Sequence, residues 1–327
     1  MKKVLLLDTS IGTSNLGDFI IMECVRKELA PVLSGNFCYD LPTHLPAFNS
    51  LAVFRNSFAV QNYAGADLKF AGGSNLLVKD LKTHYPQWNI HPLNSKPLRG
   101  VILVGVGAGA GECTNRYTTK LYQKLLHPAY FHSVRDERSK EYVESMGRKA
   151  INTGCVTMWM LTPEFCRTIP TKKANRCVFT LTGRSDATPV REEERQMLDI
   201  LLRNYETVYC WIQGDKDFDY LKRFARHEQV TVVPPSVEAY DKLLSQEDLD
   251  YVGTRLHGGV YAMRHGKRAI IIAIDERAAE IHKWNHLNCI SLAEIAENLE
   301  PMIRSEFATE VKMPFDRIAQ WKAQFMR

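Results

Sequence analysis

The alternation of apolar and polar positions repeats one pattern along this chain: a short apolar run, a glycine-bearing turn, then a stretch with apolar residues three and four apart. Val4-Leu5-Leu6-Leu7 within Lys3–Asp8 is the first run and predicts a buried strand. The turn Gly12-Thr13-Ser14-Asn15-Leu16-Gly17-Asp18 follows. A helix is then predicted from about Asp18 to Leu29, apolar at Phe19, Ile21, Met22, Val25 and Leu29 and stopped before Pro31. Residues 36–65 carry several breakers and give no clear element. Asp67–Ala71 is the next strand, ending in Gly72-Gly73-Ser74-Asn75. Val101–Val106 runs into Gly105, Gly107, Gly109 and Gly111. A helix from about Asn115 to Leu126 leads to a strand at Tyr130–Val134, then to Arg135-Asp136-Glu137-Arg138-Ser139 and a helix ended by Gly147.

The pattern pauses over 162–176, which holds two prolines and a basic cluster and reads as a linker. It then restarts with strands at Cys177–Leu181, Val208–Ile212, Val230–Val233, 250–252 and Arg268–Ile274. Helices are predicted at Arg191–Asn204, Phe218–Arg226, Val237–Leu244, from Leu256, and at Asp275–Trp284. Strand, turn and helix in repetition mean parallel sheets covered on both faces, with ligands at the carboxyl ends of the strands. The expected fold is α/β, with two Rossmann-like parallel-sheet domains facing across a cleft. The domains run over 1–165 and 172–305, and an amphipathic helix in 306–327, with Phe315, Ile318, Trp321 and Phe325 on one stripe, packs back.

At 327 residues two domains are the default, and 45% hydrophobic with 24% charged residues is ordinary for a globular chain. The net charge of +5 suits anionic small molecules or peripheral contact with an acidic membrane face, and falls short of a nucleic-acid signature. Two lysines precede the first apolar run, but that run breaks at Asp8, too early for a signal peptide. No stretch approaches the ~20 apolar residues of a spanning helix. The eight cysteines form no C-x-x-C pair and read as reduced core residues, so the expected compartment is the cytoplasm. His282 and His286 are four apart without H-E-x-x-H, and no metal is expected.

The densest chemistry lies in 250–266. A strand ends near Val252, Thr254 is a candidate N-cap, and Arg255 and His257 stand at the positive end of the next helix. A guanidinium there offers a fork to a carboxylate or phosphate, and an imidazole can move a proton near neutral pH. The alternative reading pairs Arg255 with a structural carboxylate and lets His257 cap its own helix. Asn15 and Asp18 could hydrogen-bond a hydroxylated ligand or simply shape an Asx turn. The first turn is not a P-loop, since no Lys-Ser/Thr follows its second glycine. Gly105, Gly107 and Ala110 match a dinucleotide fingerprint only loosely, outside the first βαβ unit and without an acidic residue ~20 positions on. Ser74 lacks the G-x-S-x-G elbow of a hydrolase nucleophile.

Taken in order, Gly12-x-x-Asn15-x-Gly17-Asp18, Gly72-Gly73, the Val-Gly-Val-Gly turn at 104–107, Arg135-Asp136-x-x-Ser139 and Arg255-Leu256-His257 ahead of Ile270–Ile274 resemble the polysaccharide pyruvyl transferase family over nearly the whole chain. The resemblance implies a fold like the B-type glycosyltransferases (GT-B-like). It also implies a reaction in which phosphoenolpyruvate donates a pyruvyl group to two hydroxyls of a sugar, as a ketal, in bacterial cell-surface polysaccharide biosynthesis such as capsule or exopolysaccharide. Donor binding then falls to Arg255, Leu256, His257 and, from the other side of the cleft, Arg135, with Arg184 and Arg277 as added candidates. His257 is the expected general acid and Asp136 or Asp18 the proton acceptor. Asn15, Gly17, Asp18, Gly72, Gly73, Asn75 and Gly107 are expected on the acceptor side. No cofactor beyond phosphoenolpyruvate as co-substrate is implied. The partners expected are that donor and a sugar or lipid-linked oligosaccharide, with peripheral membrane contact at the inner face and homo-oligomers left open. The chain departs from its relatives at Asn152-Thr153-Gly154-Cys155, where Asp-Pro-Ala is common, and at Ile274-Asp275-Glu276-Arg277, where Tyr-Asp-x-Lys is common. A glycosyltransferase using a nucleotide sugar, or a catalytically silent glycan-binding subunit, are the alternatives on the same scaffold.

Overall fold

The computed structural model describes residues 1–82, 87–109, 115–183, 189–246, 248–274 and 284–326. Arg184, Arg277, Gly111 and nearly all of the helix expected over 275–284 lie outside the described residues. The chain forms two compact units: Met1–Thr13, Ile21–Trp159 and Pro314–Arg327 make the first, and Ser14–Ile20 with Met160–Met313 the second.

In the first unit, β1 (Lys3–Asp8), β2 (Phe37–Pro42), β3 (Leu68–Gly72) and β4 (Val101–Val104) form a parallel sheet in the order β2-β1-β3-β4. Five consecutive buried residues in β1 and four in β4 are what strands covered on both faces require. β5 (His132–Val134) and β6 (Ala150–Asn152) pair in parallel, and a Val106–Val134 bridge joins this pair to the end of β4. The strand β2 escapes the sequence pattern because it is an edge strand of mostly exposed or half-buried residues. Helix α1 (Leu16–Glu28) follows β1, and short helices α2 (Ser50–Phe54) and α3 (Phe58–Ala64) fill the region without a clear prediction. Helix α4 (Arg116–Leu125) starts at Asn115, whose side chain accepts from Tyr117 N. Helix α5 (Glu137–Ser145) starts at Asp136.

The second unit holds six parallel strands in the order β12-β11-β10-β7-β8-β9. They are β7 (Arg176–Thr180), β8 (Thr207–Trp211), β9 (Thr231–Val233), β10 (Leu249–Gly253), β11 (Ala269–Ala273) and β12 (Cys289–Ser291). Helices α6 (Glu192–Asn204), α7 (Asp217–Leu221), α8 (Val237–Leu244) and α9 (Leu256–Arg264) connect them. β7 continues to β8 on one side, whereas its other neighbour β10 continues to β11 on the opposite side. The order of strands therefore reverses between β7 and β10, and the loops leaving their carboxyl ends part from each other. Open α/β sheets bind ligands at such a reversal. In the first unit the same reversal lies between β1 and β3.

The last helix, α10 (Phe315–Ala323), belongs to the first unit and buries the expected stripe there. Trp321 is fully buried, packs edge-on against Trp159, and donates its Nε1 hydrogen to Phe131 O at 2.9 Å. Phe325 packs on Phe70 and Tyr130. Among the described cysteines Cys38, on the exposed strand β2, is exposed and Cys289 is half-buried, against the expectation of core positions; the others are buried. No helix among the described residues is long and apolar enough to cross a membrane.

Candidate active site

The carboxyl end of β10 carries the site. The sequence favours Thr254 as the helix cap, but the structure gives that position to Arg255, with no side-chain cap. Thr254 N still donates to Thr180 O at 3.1 Å, so the β10 ladder runs one residue beyond the strand, and the Thr254 hydroxyl pairs with Thr182. Arg255 N then finds Thr180 Oγ1 at 3.2 Å, and its extended backbone turns the chain into α9. The Tyr251 hydroxyl, bonded to Thr180 Oγ1 and to Arg255 O, locks the turn from below. Burial pushes that phenol well above its ordinary pKa, so it stays a neutral donor.

The Arg255 guanidinium is held by three elements. Nε donates to Leu181 O after β7, and Nη2 forms an ion pair with Asp217 at the start of α7. Asp217 is fully buried and also accepts from Gly183 N and Gly214 N, each at 2.8 Å. One carboxylate thus ties the loops after β7 and β8 to the arginine after β10. Its three charge-assisted bonds satisfy the buried charge. Gly214 is small for a reason: a Cβ there would stand 2.5 Å from Arg255 Nη2. Of the three Arg255 guanidinium nitrogens, Nε and Nη2 have these protein partners, and the side chain keeps 19% of its exposure.

His257 lies in the first turn of α9 and half-buried. The Ser14–Ile20 segment comes to it. Asn15 pairs with Gly214 as an antiparallel bridge, Leu16 N donates to Gln213 O at 2.8 Å, and the Gln213 amide donates to Asn15 Oδ1. Asn15 Oδ1 also accepts from Gly17 N at 3.1 Å, the Asx geometry the sequence allows. A Cβ on Gly17 would lie 3.2 Å from His257 Nδ1, 3.2 Å from Asn15 Oδ1 and 3.0 Å from Gln213 Nε2. Glycine is what lets this turn sit against the imidazole. The structure therefore brings Asn15, Gly17, Arg255, Leu256 and His257 into one cluster. It adds Gln213 and Asp217, which sequence reasoning missed; the only signal was the Gln213-Gly214-Asp215 strand end. Gln213 is buried, and its Oε1 has no hydrogen-bond partner among the described residues. Asp18 is buried in the first turn of α1, its N–H on Asn15 O.

The remaining candidates lie in the first unit. Arg135 follows β5 and pairs with Asp136 at 3.3 Å. Its guanidinium lies against Gly107, where a Cβ would stand 2.3 Å from Nε. Asp136 has a structural use as well: its Oδ1 accepts from Ser139 N as the cap of α5. The buried Ser139 hydroxyl accepts from Ala108 N, so the Arg135-Asp136-x-x-Ser139 motif fixes the glycine turn after β4. Gly72 and Gly73 pack on Met22, Val25 and Ile21 of α1, and Gly73 and Ser74 both have positive φ. Asn75 N donates to Gln87, while Asn75 Oδ1 is buried without a partner among the described residues.

Two solved structures align over almost the full chain. S. aureus MnaA in a co-structure with UDP has 9% identity and a TM-score of 0.54, covering 98% of this chain and 95% of that one. Methanocaldococcus jannaschii UDP-GlcNAc 2-epimerase, in complex with UDP-GlcNAc and UDP, has 10% identity and a TM-score of 0.54, covering 98% of both chains. At these identities the likeness shows the fold alone, which is GT-B-like. A comparison with curated proteins gives no match. The sequence profile described as polysaccharide pyruvyl transferase matches residues 15–276, a span that starts at Asn15 and contains Arg135, Asp217, Arg255 and His257. The chain belongs to the polysaccharide pyruvyl transferase family, a family of transferase enzymes.

Proposed function

We propose that this enzyme moves a pyruvyl group from phosphoenolpyruvate to a pair of hydroxyls on a sugar of a cell-surface polysaccharide precursor. What carries the reading is one juxtaposition: a braced guanidinium and an imidazole at the start of α9, beside the Asn15–Gly17 turn. Phosphoenolpyruvate carries a carboxylate and a phosphate on neighbouring atoms, and a positioned arginine with a helix start suits either. His257 gives a proton to the methylene carbon, which becomes a methyl group and leaves an oxocarbenium-like centre at the adjacent carbon. One sugar hydroxyl adds there and loses its proton, phosphate leaves with the C–O bonding pair, and the second hydroxyl closes the ketal with loss of its own proton. Arg255 offsets the negative charge of the departing phosphate. Asp18, buried at the start of α1 with its N–H on Asn15 O, is the proton acceptor, and Asn15 the hydroxyl contact. Arg135 remains a donor-binding candidate through the family resemblance. Cation pairing and proton transfer supply the step, so no resident cofactor is invoked.

The test pairs thermal melting with a phosphate-release assay, using phosphoenolpyruvate and a panel of UDP-sugars. Phosphoenolpyruvate should raise the melting temperature and release phosphate when the right acceptor is present. His257→Gln should abolish release and keep the thermal shift. Stabilisation by a UDP-sugar and not by phosphoenolpyruvate would make this member a nucleotide-sugar enzyme instead.

A further inference from the structure

The first unit exposes a second feature that the transfer reaction does not use. Helices α2 and α3 are joined by a tight reversal: Ser57 N donates to Ala52 O, Asn56 N donates to Val53 O, and Asn56 takes a left-handed φ of 48°. These are the two bonds of a Schellman ending, with Asn in the position that tolerates such a φ. The inner face is anchored, since Val60 is buried and Ala52, Val53 and Tyr63 pack on the core. The outer face is apolar yet open to solvent. Phe54 is 87% exposed, Phe58 86% and Leu51 54%. Two nearly bare phenylalanines flanking one turn are more than the scattered apolar surface of an ordinary domain.

The stretch that carries them and the stretch that adjoins it hold cations and no carboxylate. Residues 41–66 contain no Asp or Glu, and neither do residues 87–109. The second stretch adjoins α3, because the buried Lys69 ammonium bonds Ala64 O at the end of α3 together with Pro97 O and Arg99 O. Arg55, between the two phenylalanines, and Lys96 and Arg99 in the adjoining turn are exposed. Asp67, next along the chain, accepts from Lys3 N. Exposed aromatic tips on a stretch that carries an exposed cation and no carboxylate, with two more exposed cations in the adjoining stretch, match the headgroup and acyl boundary of an anionic bilayer. A second copy of the same face would set cation against cation. We propose that the α2–α3 reversal docks this protein on an anionic membrane surface, by insertion of Phe54 and Phe58 and attraction of Arg55, Lys96 and Arg99. The proposal is independent of the donor, so its failure is distinct from a failure of the pyruvyl-transfer reading.

The test is flotation of the full chain with vesicles of phosphatidylcholine alone and of phosphatidylcholine mixed with phosphatidylglycerol, at low and high salt. The wild type should float with the anionic vesicles and be released by salt. Phe54→Ser/Phe58→Ser should lower partitioning on the order of tenfold or more, from lost apolar insertion. Arg55→Glu should lower it at least about fivefold on anionic vesicles only. All variants should melt with the wild type, since the substituted side chains are exposed, and Met326→Ser, at an exposed apolar residue elsewhere, should bind as the wild type. The proposal is overturned if the wild type stays with neither vesicle, if the double variant or Met326→Ser behaves oppositely, or if the double substitution instead abolishes a concentration-dependent dimer.

Discussion

Asp217 and Arg255 form an ion pair in which the carboxylate is fully buried and the guanidinium keeps an open edge. The Arg255 Nε and Nη2 are fixed by protein, and the side chain keeps part of its exposure. Asp217→Asn should destabilise the second unit by roughly 3 kcal/mol, because one partner of a buried pair is left uncompensated. The same change should slow phosphate release on the order of a hundredfold, the scale of a small displacement of a positioning group. Urea denaturation and the release assay read the two separately. A stability loss with an undiminished rate would assign Arg255 to the fold alone.

The close contact between Arg135 and Gly107 gives a substitution at a distance from the guanidinium's own chemistry. Gly107→Ala forces the Arg135 side chain away, and because that is the far end of a flexible chain the fold should lose only about 1 kcal/mol. If Arg135 touches substrate, Gly107→Ala should match Arg135→Ala in activity while melting within a few degrees of the wild type. A Gly107→Ala enzyme with full activity would remove Arg135 from the site.

How much of this was legible in the sequence follows from the range of each interaction. Lys3–Asp8 and Val237–Leu244 have the bounds that their apolar periodicity predicts, since burial and, for the helix, the Ser236 cap are local. The strand β2 was invisible because an exposed edge needs no apolar run. Thr254 misled because cap preference is local, whereas the bond from its N–H to Thr180 O is set by a strand 74 residues away. Arg255 and His257 are legible as residue types at a helix start. Their braces are not, because Asp217 and Gln213 reach the site through strand order, and the Asn15–Gln213 contact spans 198 residues.

The last helix is tied down by one carbonyl with two donors. Phe131 O accepts from both Trp321 Nε1 and Gln324 Nε2. Trp321→Ala should cost about 3–5 kcal/mol as a buried aromatic truncation. Trp321→Phe keeps a ring against Trp159 and leaves Gln324 on the carbonyl, so it should cost less than half as much. Equal losses in denaturant melts would show that the indole N–H, and not the buried ring area, holds α10.

His132 sets a pH dependence with a definite sign. Its ring is fully buried; Nδ1 accepts from Leu103 N at 3.2 Å, which leaves Nε2 to donate to His127 O at 3.0 Å. Both nitrogens are spent in the neutral form, and burial lowers the pKa from 6.5 to about 4. Above pH 6.5 the folded and unfolded chains are both neutral at this residue, and it contributes no slope. As the pH falls from 6.5 to about 4 the unfolded chain takes up a proton that the folded chain refuses, so stability is lost across that window and the loss levels off below it. The full loss is roughly 3 kcal/mol at about 1.4 kcal/mol per pKa unit. His132→Gln, which cannot titrate, should start less stable at pH 7 and show a flatter profile between pH 6.5 and 4. Melting temperatures taken every half unit of pH decide it: parallel profiles for the two proteins would place the acid sensitivity on other groups.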